Sequence, residues 1–263
     1  MTSTDWLPCP IDMSDLDLSG DKLREHWDRL HRGNREPFPA DERLQDAWRQ
    51  YHLGNFARAV DLGLAMGGPG AVPAAFATTI YTQYIEQDDK RKIELFKRAM
   101  AICKEAEAGG LSTPNLHYMY AVAMGRYSQF ISMIEALAQG FGGRIKDQVE
   151  KCLELEPSHA EAHATFAGWH AGISDQAGSL MGKMLYGATQ DGAHEHYDEA
   201  VRLAPDSVVP HIEYGRGLEV MYGDSERAGI VLKLEKAMTV SAVDAMQRMD
   251  QEAARKQLAA LNG

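Results

Sequence analysis

His163-Ala164-Thr165-Phe166-Ala167 sets a histidine, an aromatic residue three positions on and a small residue beside it. The chain repeats this arrangement in His117-Tyr118-Met119-Tyr120-Ala121 and in His211-Ile212-Glu213-Tyr214-Gly215. The copies begin 46 and 48 residues apart (117 to 163, 163 to 211), and the later two each stand six residues after a proline, Pro157 or Pro205. A fixed period of this length marks a reused supersecondary unit. On a helix these three positions share one face. The small residue then admits a neighbouring helix while the aromatic fills the space beside it, which is packing and not chemistry. Repeats of this kind form binding surfaces, so the class of function read here is an interaction module.

Outward from these copies the same periodicity continues. From Asp41 onward apolar residues recur at three and four, punctuated by Gly and Pro, with no strand-length alternation. The fold class is therefore all-α, an array of antiparallel helical hairpins. Helices are predicted over 41–53, 56–66, 72–86, 90–107, 114–125, 128–139, 144–155, 159–181, 191–203, 208–222, 226–238 and 242–261. Residues 1–40 read as an N-terminal extension with one docked helix, capped by Ser19 and presenting Leu23, Trp27 and Leu30 on one face. Residues 41–263 read as a single domain of about five degenerate units closed by a capping helix at 242–261. That last helix either covers the final unit or supports self-association into a homo-oligomer.

Composition excludes several partners. The 263 residues carry 27 Lys and Arg against 38 Asp and Glu, a formal charge of −11, which repels nucleic acid and anionic lipid. No apolar run reaches the ~18 residues of a membrane helix, and Met1–Gly20 lacks the apolar core of a secretion signal. Three scattered cysteines, Cys9, Cys103 and Cys152, form neither a disulfide framework nor a metal knuckle. Cys152 shares a face with Val149 and Leu153 and reads as a buried thiol. A cytoplasmic protein is expected.

The stripe His163, Phe166, Ala167 and His170 is followed by Ala193, Tyr197 and Pro205, an arrangement that resembles the tetratricopeptide repeat. That repeat is about 34 residues long, whereas Pro157 to Pro205 spans 48 (205 − 157), so the hairpin is lengthened. Residues 126–143 and 171–189 both carry helical spacing and a glycine break, Gly140-Phe141-Gly142-Gly143 in one and Tyr186-Gly187-Ala188 in the other. With the insertion included, the run through Glu156-Pro157, His163, Gly168-Trp169, Lys183, Tyr186-Gly187-Ala188 and Leu203-Ala204-Pro205 resembles the regulator of microtubule dynamics proteins and their bacterial relatives over about 110–240. The tetratricopeptide component of TRAP transporters is a more distant likeness. These resemblances imply an α-helical scaffold that binds other proteins, and they imply no catalytic residue.

Enzymatic chemistry finds little support in the residues. His163, His170, His194 and His196 are the candidate metal ligands, with His159 on the same predicted helix as His163, but the HExxH pairing is absent. No phosphate loop, nucleophile elbow or cofactor motif occurs, so a non-enzyme without cofactor is expected. Gly140, Gly142 and Gly143 before Arg144 and Lys146 read as an anion-binding turn or, more simply, a hairpin. In tetratricopeptide arrays the first helices line a groove, which would place Glu161 and Gly168 of one unit and Arg216 and Glu219 of the next along it. Gly168, Ala171 and Gly172 leave room there, with Trp169 and Tyr186 at its rim or, alternatively, packing the long hairpin. The expected function is a scaffold for a protein or peptide. A solute-binding protein and a histidine-dependent metalloenzyme are the alternatives.

Overall fold

The computed structural model describes residues 5–262; the first four residues of the 1–40 extension and residue 263 lie outside it. The described residues form fourteen α-helices and no strand. They gather into two compact units: residues 5–31, 36–141 and 244–246 in the first, and 32–35, 142–243 and 247–262 in the second. The segment read as an extension is thus divided between them.

In the first unit, α1 (Lys22–Leu30) buries the expected Leu23, Trp27 and Leu30. Its N-cap is Asp21 and not Ser19, whose own amide is held by Asp17. There follow α2 (Glu42–His52), α3 (Phe56–Met66), α4 (Ala71–Tyr84), α5 (Asp89–Ala108), α6 (Pro114–Ser128) and α7 (Met133–Ala138), each packing on its sequence neighbour through α6. Helix α4 is buried nearly all round, as its weakly polar sequence requires. The single helix expected at 128–139 is shorter than predicted. The hydroxyl of Ser132 accepts the amide of Glu135 and opens α7 there, whereas Tyr127 and Ser128 complete α6.

The second unit holds most of α8 (Phe141–Leu155), then α9 (Ala160–Ala177), α10 (Ser179–Tyr186), α11 (Gln190–Leu203), α12 (Val208–Tyr222), α13 (Arg227–Thr239) and the body of α14 (Ala245–Asn262). The predicted helix at 159–181 is two helices, because Gly178 takes φ +76° and ends the ladder. The expected break at Tyr186-Gly187-Ala188 is present, with Gly187 in the left-handed conformation at the end of α10. Helices α9, α11, α12 and α13 enclose a core of Ala167, Ala193, Tyr197, Ile212, Tyr214 and Leu234.

The repeated motif performs the packing expected of it. Tyr120, Phe166 and Tyr214 are buried, as are the neighbouring Ala121 and Ala167. A Cβ on Gly215 would press on Leu234 at 3.3 Å. The histidine has a further role that spacing alone did not express. His163 donates from Nε2 to the carbonyl of Pro157 at 3.1 Å, and His211 does the same to Pro205 at 2.9 Å. Each thereby ties the first helix of a hairpin to the turn before it. In the first copy the proline is missing and His117 Nε2 meets the Ser112 hydroxyl instead, at 2.9 Å.

Candidate functional site

Three of the four candidate metal ligands come together between α9 and α11. His163 Nδ1 lies 2.9 Å from His196 Nδ1, and the His170 ring stacks on that of His196 with centroids 5.7 Å apart. Because His163 uses its Nε2 proton on Pro157, its Nδ1 is the acceptor and His196 carries the proton between them. His170 Nδ1 accepts the backbone amide of Thr189. These rings pack around Phe166, whose ring is 4.7 Å from that of His196. His194 points elsewhere, to the hydroxyls of Tyr214 and Tyr222. Among the described residues no group of three or more His, Cys, Asp or Glu side chains could hold a metal ion.

Burial sets the protonation of this cluster. Desolvation lowers His196 to about 4, with the nearby His163 and His170 adding to the effect and Glu199 opposing it. His170 is lowered by burial, then by Lys146, against Glu150. His159, fully buried as the cap of α9 with Nδ1 accepting the Ala162 amide, is pushed down to about 3, chiefly by burial. Burial also lowers His211.

A pH dependence follows. Between pH ~6.5 and ~3 the unfolded chain protonates His159 and the folded chain does not, so stability falls as pH falls, by about 1.4 kcal/mol per unit for this group. Glu36 acts in the opposite sense. Burial raises it from 4.5 to about 7 despite a hydrogen bond from Asn115, so its contribution is present at low pH and lost as pH rises through 7. One carboxyl offsets about one histidine, and four histidines are lowered; the net expectation is loss on acidification. His159→Asn keeps a short acceptor for Ala162 and does not titrate, so its urea-measured stability should drop about 2 kcal/mol less between pH 6.5 and 5. Equal drops would refute the assignment.

The residues proposed to line a groove occupy definite places. Glu161 is buried, its amide donates to the carbonyl of Gly33 at 3.0 Å, and its carboxyl fills the space where a Cβ on Gly33 would stand. Trp169 is buried and donates from Nε1 to the Gly142 carbonyl at 2.8 Å, while its ring meets Tyr186 edge-on at 6.4 Å. Both rings pack on the start of α8, which is the alternative given for them above. A Cβ on Gly168 would stand 3.6 Å from the Tyr197 hydroxyl oxygen. Arg216 pairs with Glu213 at 2.5 Å, and the exposed Glu219 accepts from Gln257 at 2.7 Å. Within this set Trp169 and Tyr186 are in contact.

Two features escaped sequence reasoning. In the first unit, His52 Nδ1 lies 2.8 Å from Asp244 Oδ2 and its Nε2 lies 3.1 Å from His31 Nε2, all three side chains being buried. No local spacing joins residues 192 positions apart. The second feature is the apolar exposure of the two inserted helices. Helix α7 buries no residue and shows Met133, Ile134 and Leu137, with Ile134 80% exposed. Helix α10 buries only Gly182, which approaches the backbone of Ile173 and Ser174, and shows Leu180, Met181, Met184 and Leu185, with Leu180 at 71% and Met184 at 72%. The signal was present in the apolar spacing of 126–143 and 171–189, and was read there as lengthening the hairpins.

Successive packed hairpins, two of them prolonged by short helices with apolar outer faces, define an all-helical protein of the repeat-array class. The model of one family, regulator of microtubule dynamics protein 1-3, matches residues 73–262, and the chain belongs to this family. The match takes in all three histidine motifs and both insertions, and extends beyond the 110–240 of the resemblance noted in the sequence. No curated protein matches the chain. Among the described residues no helix is long and apolar enough to cross a membrane.

Proposed function

We propose that the protein is a non-catalytic scaffold of the tetratricopeptide repeat type, cytoplasmic, that binds a partner protein or peptide. Family membership and the repeated hairpins support this reading, and the three cysteines, Cys9, Cys103 and Cys152, remain thiols, which agrees with a reducing compartment. The observation that carries it is the solvent exposure of large apolar side chains on α7 and α10. A helix of six or eight residues has little stability of its own and normally depends on packing an apolar face. Here the apolar faces point outward. Covering one such Leu or Met contributes about 1.5–3 kcal/mol before ordering costs, so the four on α10 are enough to anchor a partner.

The test is affinity capture from a host lysate by the intact chain, beside Leu180→Gln/Met184→Gln and Ile134→Gln/Leu137→Gln. All four positions are exposed, so circular dichroism should show unchanged folds. A protein retained by the intact chain and reduced about tenfold or more by either variant is the expected result. A partner retained equally by all three proteins would refute these helices as its contact surface.

A further inference from the structure

Helix α10 is unlike an ordinary surface helix because its solvent face is apolar while the chain on either side of it is acidic. Leu180, Met181, Met184 and Leu185 recur at one- and four-residue steps and are all exposed. On the inner side Gly182 brings the α10 backbone against Ile173 and Ser174 of α9, so the helix lies on the hairpin while the four side chains stay exposed. Asp175 follows directly after that contact and is exposed. Asp191 and Glu195, in the opening turns of α11, are exposed as well. From residue 171 to 201 the acids are Asp175, Asp191, Glu195, Asp198 and Glu199, and Lys183 is the only base. The whole chain carries −11.

Methionine and leucine side chains adapt to many apolar shapes, and a surrounding acidic field selects for positive charge at the edge of whatever covers them. We infer that α10 is a docking site for a basic amphipathic helix of a partner protein, which lays its apolar stripe across Leu180, Met181, Met184 and Leu185 and sets Lys or Arg against Asp175, Asp191 and Glu195. This deepens the proposed scaffold function and rests on it. Charge decides against two other occupants. A second copy of this chain brings a further −11 to the contact, and an anionic lipid surface meets the same repulsion.

The experiment is fluorescence anisotropy with three labelled helical peptides of one apolar pattern, whose polar face is all lysine, all glutamine or all glutamate. They are titrated with the intact chain, with Leu180→Gln/Met184→Gln and with Asp175→Asn/Asp191→Asn/Glu195→Gln. The lysine peptide should bind the intact chain, weaken about tenfold in the acid-neutralised variant and in high salt, and lose binding in the apolar variant. The glutamine peptide should bind more weakly and ignore the acid changes. If glutamine or glutamate peptides bind as tightly as lysine, and still depend on Leu180 and Met184, the basic partner is overturned while apolar docking stands. If no peptide binds, the docking inference falls, and the capture experiment above decides the scaffold reading separately. Light scattering that shows a dimer dissociated by Leu180→Gln/Met184→Gln, or sedimentation with phosphatidylcholine vesicles abolished by it, would overturn the inference in favour of a second copy or a lipid surface.

Discussion

Asp244→Ala is expected to destabilise the protein by about 3 kcal/mol in urea unfolding, the largest effect of any single polar truncation in the first unit. The Asp244 carboxylate accepts from His52 Nδ1, which leaves His52 Nε2 to accept from His31. Both rings lie among aromatic neighbours, with Trp48 stacked on His52 at 5.8 Å and Trp27 edge-on to it at 6.2 Å. Water cannot replace the lost oxygen in that setting, so one donor stays buried and unsatisfied and the tautomers of both histidines lose their anchor. Asp244→Asn, which keeps an acceptor, should lose distinctly less. A loss below about 0.5 kcal/mol for the alanine variant would show that the chain of bonds contributes little.

Gly217→Ala should cost about as much, roughly 3 kcal/mol, by the opposite mechanism of overpacking. An added Cβ would stand 2.2 Å from the hydroxyl oxygen of Tyr197 and 2.4 Å from its Cζ. Tyr197 cannot step aside: it is fully buried on α11, stacked on Tyr214 at 4.7 Å, with Gly168 of α9 on its other flank. Tyr197→Phe removes the nearest atom and should recover part of the loss in the double variant. Gly125→Ala is the matching control. Nothing lies within 4 Å of its would-be Cβ on α6, so it should be neutral or stabilising by up to about 1 kcal/mol. Similar effects at the two glycines would remove close approach as the explanation at Gly217.

These two variants mark where the sequence was legible and where it was not. The all-helical reading and most helix positions followed from apolar spacing, and the Tyr197 stripe was visible because a helix repeats its face every three or four residues. Spacing along one helix did not show that a Cβ on Gly168 would meet Tyr197 of another helix. Gly178 was passed over as a break because a glycine inside a helical pattern interrupts it only if its φ turns positive, and the sequence does not carry φ. The motif histidines found partners in carbonyls, a hydroxyl and another histidine. The Asp244–His52–His31 chain was illegible in principle, being made by residues far apart in the sequence.

That separation has a consequence for how the protein is made. His52 leaves the ribosome 192 residues before its partner Asp244, an interval on the order of ten seconds or more at ordinary rates of synthesis. Through that interval His52 has no carboxylate to bond. The first unit is therefore complete only once Asp244 has been added, and an amino-terminal fragment ending before residue 244 would be released without the group that closes it. Such a fragment is a natural target for chaperones and proteases, and a chain must run at least to Met246 before the unit is complete.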